Sequence, residues 1–130
     1  MKRPDFLRAS VPRPKRKYRN TKTILNGELF DSIGEMRRYV DLSRLQDAGE
    51  ITGLRRQVSF ILCPPVRLVG EQRASAIRYV ADFVYERDGK TITEDFKGFD
   101  TKESRLKRRL MKHLLGIDVV LSGPAAKRAA

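Results

Sequence analysis

Asp82, Asp95 and Lys97 are the residues of this chain whose types and spacing could do chemistry. They lie in the stretch YVADFVYERDGKTITEDFK (79–97), where two β-type runs flank Asp88-Gly89. Asp-Gly between such runs signals a two-residue hairpin turn, because both turn positions need positive φ. With that turn, Arg87 pairs with Lys90 and Asp82 falls directly opposite Asp95. Opposed residues share a face, with Cβ atoms roughly 5 Å apart. Lys97, two residues beyond Asp95, points the same way. Opposed like charges destabilise a hairpin and Asp is a poor strand former, so a cation between the two is a physical reason to keep both. Two carboxylates and one ammonium on one face are the inventory of a metal-dependent phosphodiester-cleaving site. There Mg²⁺ neutralises the nonbridging phosphate oxygens, and it needs only one or two protein carboxylates. The backbone carbonyl of Phe96 could supply a further oxygen. Lys97 would orient the attacking water or stabilise charge in the transition state. A one-residue bulge in the turn would instead place Glu94 opposite Asp82.

The elements that must position these residues can be read in order. Asn26-Gly27 between short β-type runs predicts a small hairpin within residues 21–30. A first helix follows from about Ile33 to Ala48, with Ile33, Met36, Tyr39 and Val40 as its apolar face and Gly49 as its stop. Ser32-Ile33-Gly34-Glu35 fits a capping box, in which Glu35 reaches back to the Ser32 amide. The other reading makes Glu35 a site carboxylate delivered from the helix start, although spacing alone favours the cap. Residues 54–62 predict the first core strand, with Val58, Phe60 and Leu62 on one face and Gln57 on the other. Pro64-Pro65 ends that strand, and 66–75 reads as a charged, mobile connection. Ala76–Tyr85 and Lys90–Lys97 form the hairpin. Its second face carries Phe83, Tyr85, Ile92 and Phe96, so both faces need cover. Gly98 breaks the strand, and Thr101 caps a second helix running to Gly116. Leu106, Leu110 and Leu114 predict its buried stripe, while Lys102, Arg105, Arg108, Arg109 and Lys112 line a neighbouring basic face suited to a phosphate backbone. Residues 117–121 predict a last buried strand, and 122–130 a frayed tail.

The expected fold is α/β: one domain over residues 21–121, with a mixed four-stranded sheet flanked by helices in the order αβββαβ. Residues 1–20 hold eight Lys or Arg, three Pro and one acid, which predicts a flexible basic arm. Such an arm either lies along phosphates or solubilises the chain. The formal net charge of +12 favours polyanionic partners, nucleic acid before an anionic membrane. No run approaches the ~18 apolar residues of a membrane span, and the basic N-terminus lacks the apolar segment of a signal peptide. The lone Cys63 excludes an internal disulfide, predicts a reducing compartment and reads as a small buried hydrophobe. The single His113 reads as a helix-surface or packing residue. There is no Gly-rich phosphate loop and no Cys/His set with zinc spacing.

Asp82, then Asp95-Phe96-Lys97, with Glu35 on the preceding helix, resembles the PD-(D/E)XK nuclease superfamily. The stretches KYRNTKT, ELFDSIGE, GEITGLRRQVSF, YVADFVY and TITEDFKGF within residues 17–99 are most similar to a small phage- and prophage-associated endonuclease family. That family is related to Holliday-junction resolvases and transposon-end nucleases. The resemblance implies a restriction-endonuclease-like fold and a metal-dependent deoxyribonuclease, selective for branched DNA or junctions. It implies Mg²⁺, with Mn²⁺ able to substitute, held by Asp82, Asp95 and Glu35, with Lys97 as the catalytic lysine. It also implies a cytoplasmic setting, in a bacterial cell or phage-infected host. Ala81 stands where the superfamily motif has Pro, and Gln57 matches a recurrent polar position. Cutting both strands would favour a symmetric homodimer. The alternative reading is a non-catalytic basic DNA-binding protein of a phage.

Overall fold

The computed structural model describes residues 21–129. The expected basic arm of residues 1–20 lies outside them. The elements run β1 (Thr23–Leu25), β2 (Glu28–Phe30), α1 (Ile33–Asp47), β3 (Thr52–Cys63), β4 (Val66–Arg67), β5 (Arg73–Ala74), β6 (Ile77–Arg87), β7 (Lys90–Phe96), α2 (Lys102–Leu115), β8 (Val119–Ser122) and α3 (Pro124–Ala129). Strands β3-β6-β7-β8 form one sheet, antiparallel except for the β7–β8 pair. The fold is therefore α/β with a mixed four-stranded sheet, as the sequence predicts.

Both Gly-containing turns form as their residues require. Asn26 and Gly27 sit at φ 51° and 80°, and Asp88 and Gly89 at 51° and 74°, the positive values of a primed hairpin turn. The β6–β7 register is regular from Arg87↔Lys90 to Phe83↔Glu94. Glu94 therefore faces Phe83, and the bulged alternative does not occur.

Two apolar clusters cover the sheet. Leu42, Ile51, Phe83 and Tyr85 pack with Tyr39, Leu45, Leu54, Ile92 and Phe96 beneath α1. Leu62, Tyr79, Ala81, Val84 and Met111 pack with Val58, Phe60, Leu110, Ile117 and Val119 beneath α2. Strict alternation would keep residues 79, 81, 83 and 85 on one face. Instead Tyr79 and Ala81 lie in the α2 layer, while Phe83 and Tyr85 lie in the α1 layer. Strand β3 changes face at the same level, with Leu54 in one layer and Val58 in the other. The residue between Arg56↔Phe83 and Val58↔Ala81 is Gln57, held at φ 51°. A left-handed non-Gly residue within a strand is uncommon, and here it marks where the strand pair turns over, opposite Asp82.

Several expectations are corrected. In α2, Met111 is fully buried and Leu110 partly so, but Leu106 and Leu114 are 54% and 50% exposed. The inward face runs through Ser104, Lys107, Arg108, Leu110 and Met111, with Arg108 forked onto Asp100 in the loop from β7. In α1, Ile33 is exposed, and Glu35 and Leu42 are the buried positions. Residues 66–75, expected as a charged, mobile connection, contain the paired strands β4 and β5. Cys63 is half-buried rather than buried. The frayed tail is instead β8's last residue followed by α3. The Ala125 N–H donates to the Lys97 carbonyl (3.0 Å), and the Lys97 N–H donates to the Ser122 carbonyl (2.9 Å).

Candidate active site

Asp82 and Asp95 meet where β6 and β7 cease to pair. The ladder ends at Phe83↔Glu94, and the two carboxylates take over its bonds. The Asp82 N–H donates to Asp95 Oδ1 (3.0 Å), and the Phe96 N–H donates to Asp82 Oδ2 (2.9 Å). The other two oxygens are also held. Gln57 Nε2 donates to Asp82 Oδ1 (3.1 Å), and the Tyr79 hydroxyl donates to Asp95 Oδ2. Lys97 Nζ stands 3.1 Å from that same Asp95 oxygen. The hairpin register thus brings Asp82, Asp95 and Lys97 together as the sequence spacing predicts.

Glu35 joins them through Gln57. Its amide is capped by Ser32 Oγ (3.1 Å), so half of the capping box forms. Its carboxylate turns to the site, where Oε1 accepts from Gln57 Nε2 (3.2 Å) and Arg56 Nη2 (3.4 Å). Arg56 in turn lies 3.7 Å over the Phe30 ring and donates to the Leu29 carbonyl (3.1 Å). It ties the β1–β2 hairpin to the site.

The electrostatics of the cluster are uneven. Burial, then the charges of Asp95 and Glu35, push the Asp82 carboxyl up to about 8 against the Phe96 N–H bond. Burial and the charge of Asp31 raise Glu35 despite Arg56. Burial and the Asp95 carboxylate raise Tyr79, which keeps its phenol a donor. Three acids thus face two cations, Lys97 on Asp95 and Arg56 on Glu35, in a partly desolvated place.

Glu35, Asp82, Phe96 and Lys97 line a cleft of about 570 Å³, together with the first turn of α1 and Thr101 at the start of α2. The Phe96 ring is wedged between two glycines. A Cβ on Gly34 would collide with that ring, and one on Gly123, at φ 86°, would lie 2.7 Å from it and 2.9 Å from the Lys97 carbonyl oxygen. Neither Gly34 nor Gly123 stands out in the sequence, since each matters only through a ring brought in by another strand.

The predicted metal set is only partly assembled. Asp82 and Asp95 adjoin, but Glu35 reaches Asp82 through the Gln57 amide. Among the described residues no group of three or more His, Cys, Asp or Glu side chains could hold a metal ion by itself. All four Asp82 and Asp95 oxygens already accept from protein donors, so an ion here would have to keep most of its water rather than enter a closed protein cage.

The predicted basic face divides. Lys102 and Arg109 are exposed. Arg105 is 64% exposed and 3.8 Å from Asp100, and Lys112 Nζ pairs with Asp118 at 2.8 Å. Arg108 is not on the outer face. It forks onto both Asp100 oxygens (2.8 and 2.7 Å) and donates to Ser104 Oγ (2.7 Å). That fork holds the Asp100 carboxyl below its usual range. Tyr79 is the site residue that the sequence reading missed. Alternation puts it on the face opposite Asp82, and only the turnover at Gln57 brings its hydroxyl to Asp95.

Fold and site together define a small α/β domain with an acid-and-lysine cleft at the end of a hairpin. The chain belongs to the family described as "Protein of unknown function (DUF1064)", which matches residues 15–119. No curated protein and no solved structure matches it. Among the described residues no helix is long and apolar enough to cross a membrane.

Proposed function

We propose that this protein is a metal-dependent DNA endonuclease of the PD-(D/E)XK type. The observation that carries the reading is the buried Asp82–Asp95 pair with Lys97 Nζ 3.1 Å from Asp95. Asp82 and Asp95 would hold Mg²⁺, with the Phe96 carbonyl completing the protein's share. Mn²⁺ would serve in its place. The ion would neutralise the phosphate and acidify a bound water. Lys97, anchored through its own N–H and carbonyl by β8 and α3, orients the attacking water and offsets charge on the phosphoryl oxygens. Glu35, set by Gln57 and Arg56, accepts hydrogen bonds from water in the cleft rather than binding the ion directly. Lys102, Arg105 and Arg109 would follow the phosphate backbone, with Lys112 at the far end of the same helix. Selectivity for branched DNA and assembly as a homodimer extend the same reading.

A second reading is a non-catalytic DNA-binding protein of a phage. One observation favours it: all four Asp82 and Asp95 oxygens already accept from protein donors, as a purely structural pair would. Incubating the protein with plasmid and with a four-way junction, in Mg²⁺, Mn²⁺ or EDTA, separates the two. The nuclease reading expects cleavage only with metal, abolished by Asp82→Ala and Lys97→Ala, and calorimetric Mn²⁺ binding lost in Asp82→Ala. DNA binding without cleavage in either metal would leave the second reading.

A further inference from the structure

The β4–β5 ribbon, which leads into β6, has its own charge pattern. Its register sets Arg67 directly opposite Arg73. Arg78 follows at the start of β6. All three are exposed, and none is engaged by an acid among the described residues. The turn joining the strands bears Leu68, 51% exposed, and Val69, fully exposed. Glu71 is the acid of that turn. Directly opposed like charges destabilise a strand pair, and this two-residue pairing has no core beneath it to compensate. A solvated connection gains nothing from such a register. A polyanion lying across it does.

We propose that the β4–β5 ribbon is a second DNA contact, with Arg67 and Arg73 on backbone phosphates of the duplex arm leading away from the site. The inference rests on DNA being the substrate of the cleft. A two-stranded ribbon fits the major groove. Its apolar tip suits sugar and base edges, which a simple ionic tail would not need. The path between the two places is continuous. Arg78, Lys107, Lys97 and Asp95 line one groove of about 280 Å³, in which the acid Glu103 is paired with Lys107 at 3.5 Å. Ile77, where the ribbon joins β6, is five residues from Asp82, about 17 Å along an extended strand. That is about half a turn of B-form duplex.

The test measures binding of a labelled four-way junction and of linear duplex in EDTA, across a salt series. Arg67→Gln/Arg73→Gln should lower the salt slope of the binding constant by about two and weaken binding about tenfold at low salt. Arg67→Lys/Arg73→Lys should keep the wild-type slope. Thermal midpoints should not fall below the wild-type value, because neither residue is in a core cluster and the glutamine pair removes a like-charge opposition. Wild-type affinity and slope in the glutamine variant would overturn the proposal. So would wild-type DNA binding combined with loss of a dimer in sedimentation, which would assign the ribbon to a second copy of the chain. Weakened binding without any cleavage in Mg²⁺ by the wild-type protein would keep the ribbon contact and discard the nuclease. Cleavage with unaltered binding would do the reverse.

Discussion

Glu94 and Asp95 are neighbours on β7, both 1% exposed, yet they live in opposite electrostatic worlds. Glu94 faces the α1 layer and has every partner it needs. Arg38 forks onto it (2.7 and 2.8 Å), Tyr85 Oη donates at 2.8 Å and Ser122 Oγ at 2.9 Å. Burial alone would raise its pKa, but these bonds hold it lowered. Arg38 is raised in return, through its hydrogen bonds to Glu94, and Tyr85 is pushed up to about 12 by burial and by Glu94. Across the sheet, Asp95 shares its place with Asp82 and Glu35, and the cations beside these three acids are Lys97, 3.1 Å from Asp95, and Arg56, 3.4 Å from Glu35. The first cluster is closed and joins α1, β6, β7 and β8. The second is short of positive charge and opens to a cleft. A buried acid with a complete set of donors is what a structure needs. Asp82, pushed up to about 8 by burial and then by the charges of Asp95 and Glu35, is the kind of perturbed acid that the proposed cation site would use.

Asp82→Asn should lower metal-dependent cleavage at least ~1000-fold, on the scale of removing a central charged catalytic group. Unlike a loss on the other side of the sheet, it should leave the metal-free protein as stable or more so, as read by urea unfolding. Arg38→Ala should do the opposite. It leaves the Glu94 carboxylate buried without its main partner, at a cost of about 3 kcal/mol in the same unfolding measurement. Gly34→Ala should cost about 1–3 kcal/mol, because the Phe96 ring must move from the first turn of α1. Cleavage should fall with it, since Phe96 precedes Lys97. Tyr79→Phe removes one hydrogen bond to a carboxylate and should cost about 1.5 kcal/mol.

Acidity sharpens the same contrast. The Asp82 pKa is raised in the folded state, so the folded protein holds a proton that the unfolded chain has already released. Its contribution favours folding at low pH and is lost as pH rises from about 4 toward about 8. Glu94 has the reverse sign. Its folded pKa lies below the unfolded value, so its contribution is present above about 4.5 and is lost as pH falls below that. In EDTA, stability should therefore decline from pH 5 to pH 8 in the wild type and stay flatter in Asp82→Asn. Mn²⁺ should oppose that decline by stabilising the deprotonated site. Unfolding curves at three pH values, with and without metal, would show a wild-type profile matching Asp82→Asn if Asp82 does not titrate in this range.

Much of this is legible in the sequence alone. Asp88-Gly89 admits one tight turn, and from it the β6–β7 register and the meeting of Asp82, Asp95 and Lys97 follow by counting. Thr101 and Ser32 mark helix starts by their chemistry, and the two-sided apolar pattern of the hairpin demands helices on both faces. These are local rules, in which each residue's neighbours in sequence are also its neighbours in space. What the tertiary structure alone decided is non-local. The rotation of α2, which hides Arg108 and exposes Leu106, depends on Asp100 at the end of the loop from β7. Gln57's left-handed backbone turns two strands over at once, delivering Tyr79 to the acids that alternation would have kept from it. The slot for Phe96 exists because Gly34 and Gly123, 89 positions apart, are both bare on the same side. The sequence by itself determined which charges meet in the hairpin. Only the packing of distant segments decided how they are held, because that depends on shapes that no single stretch contains.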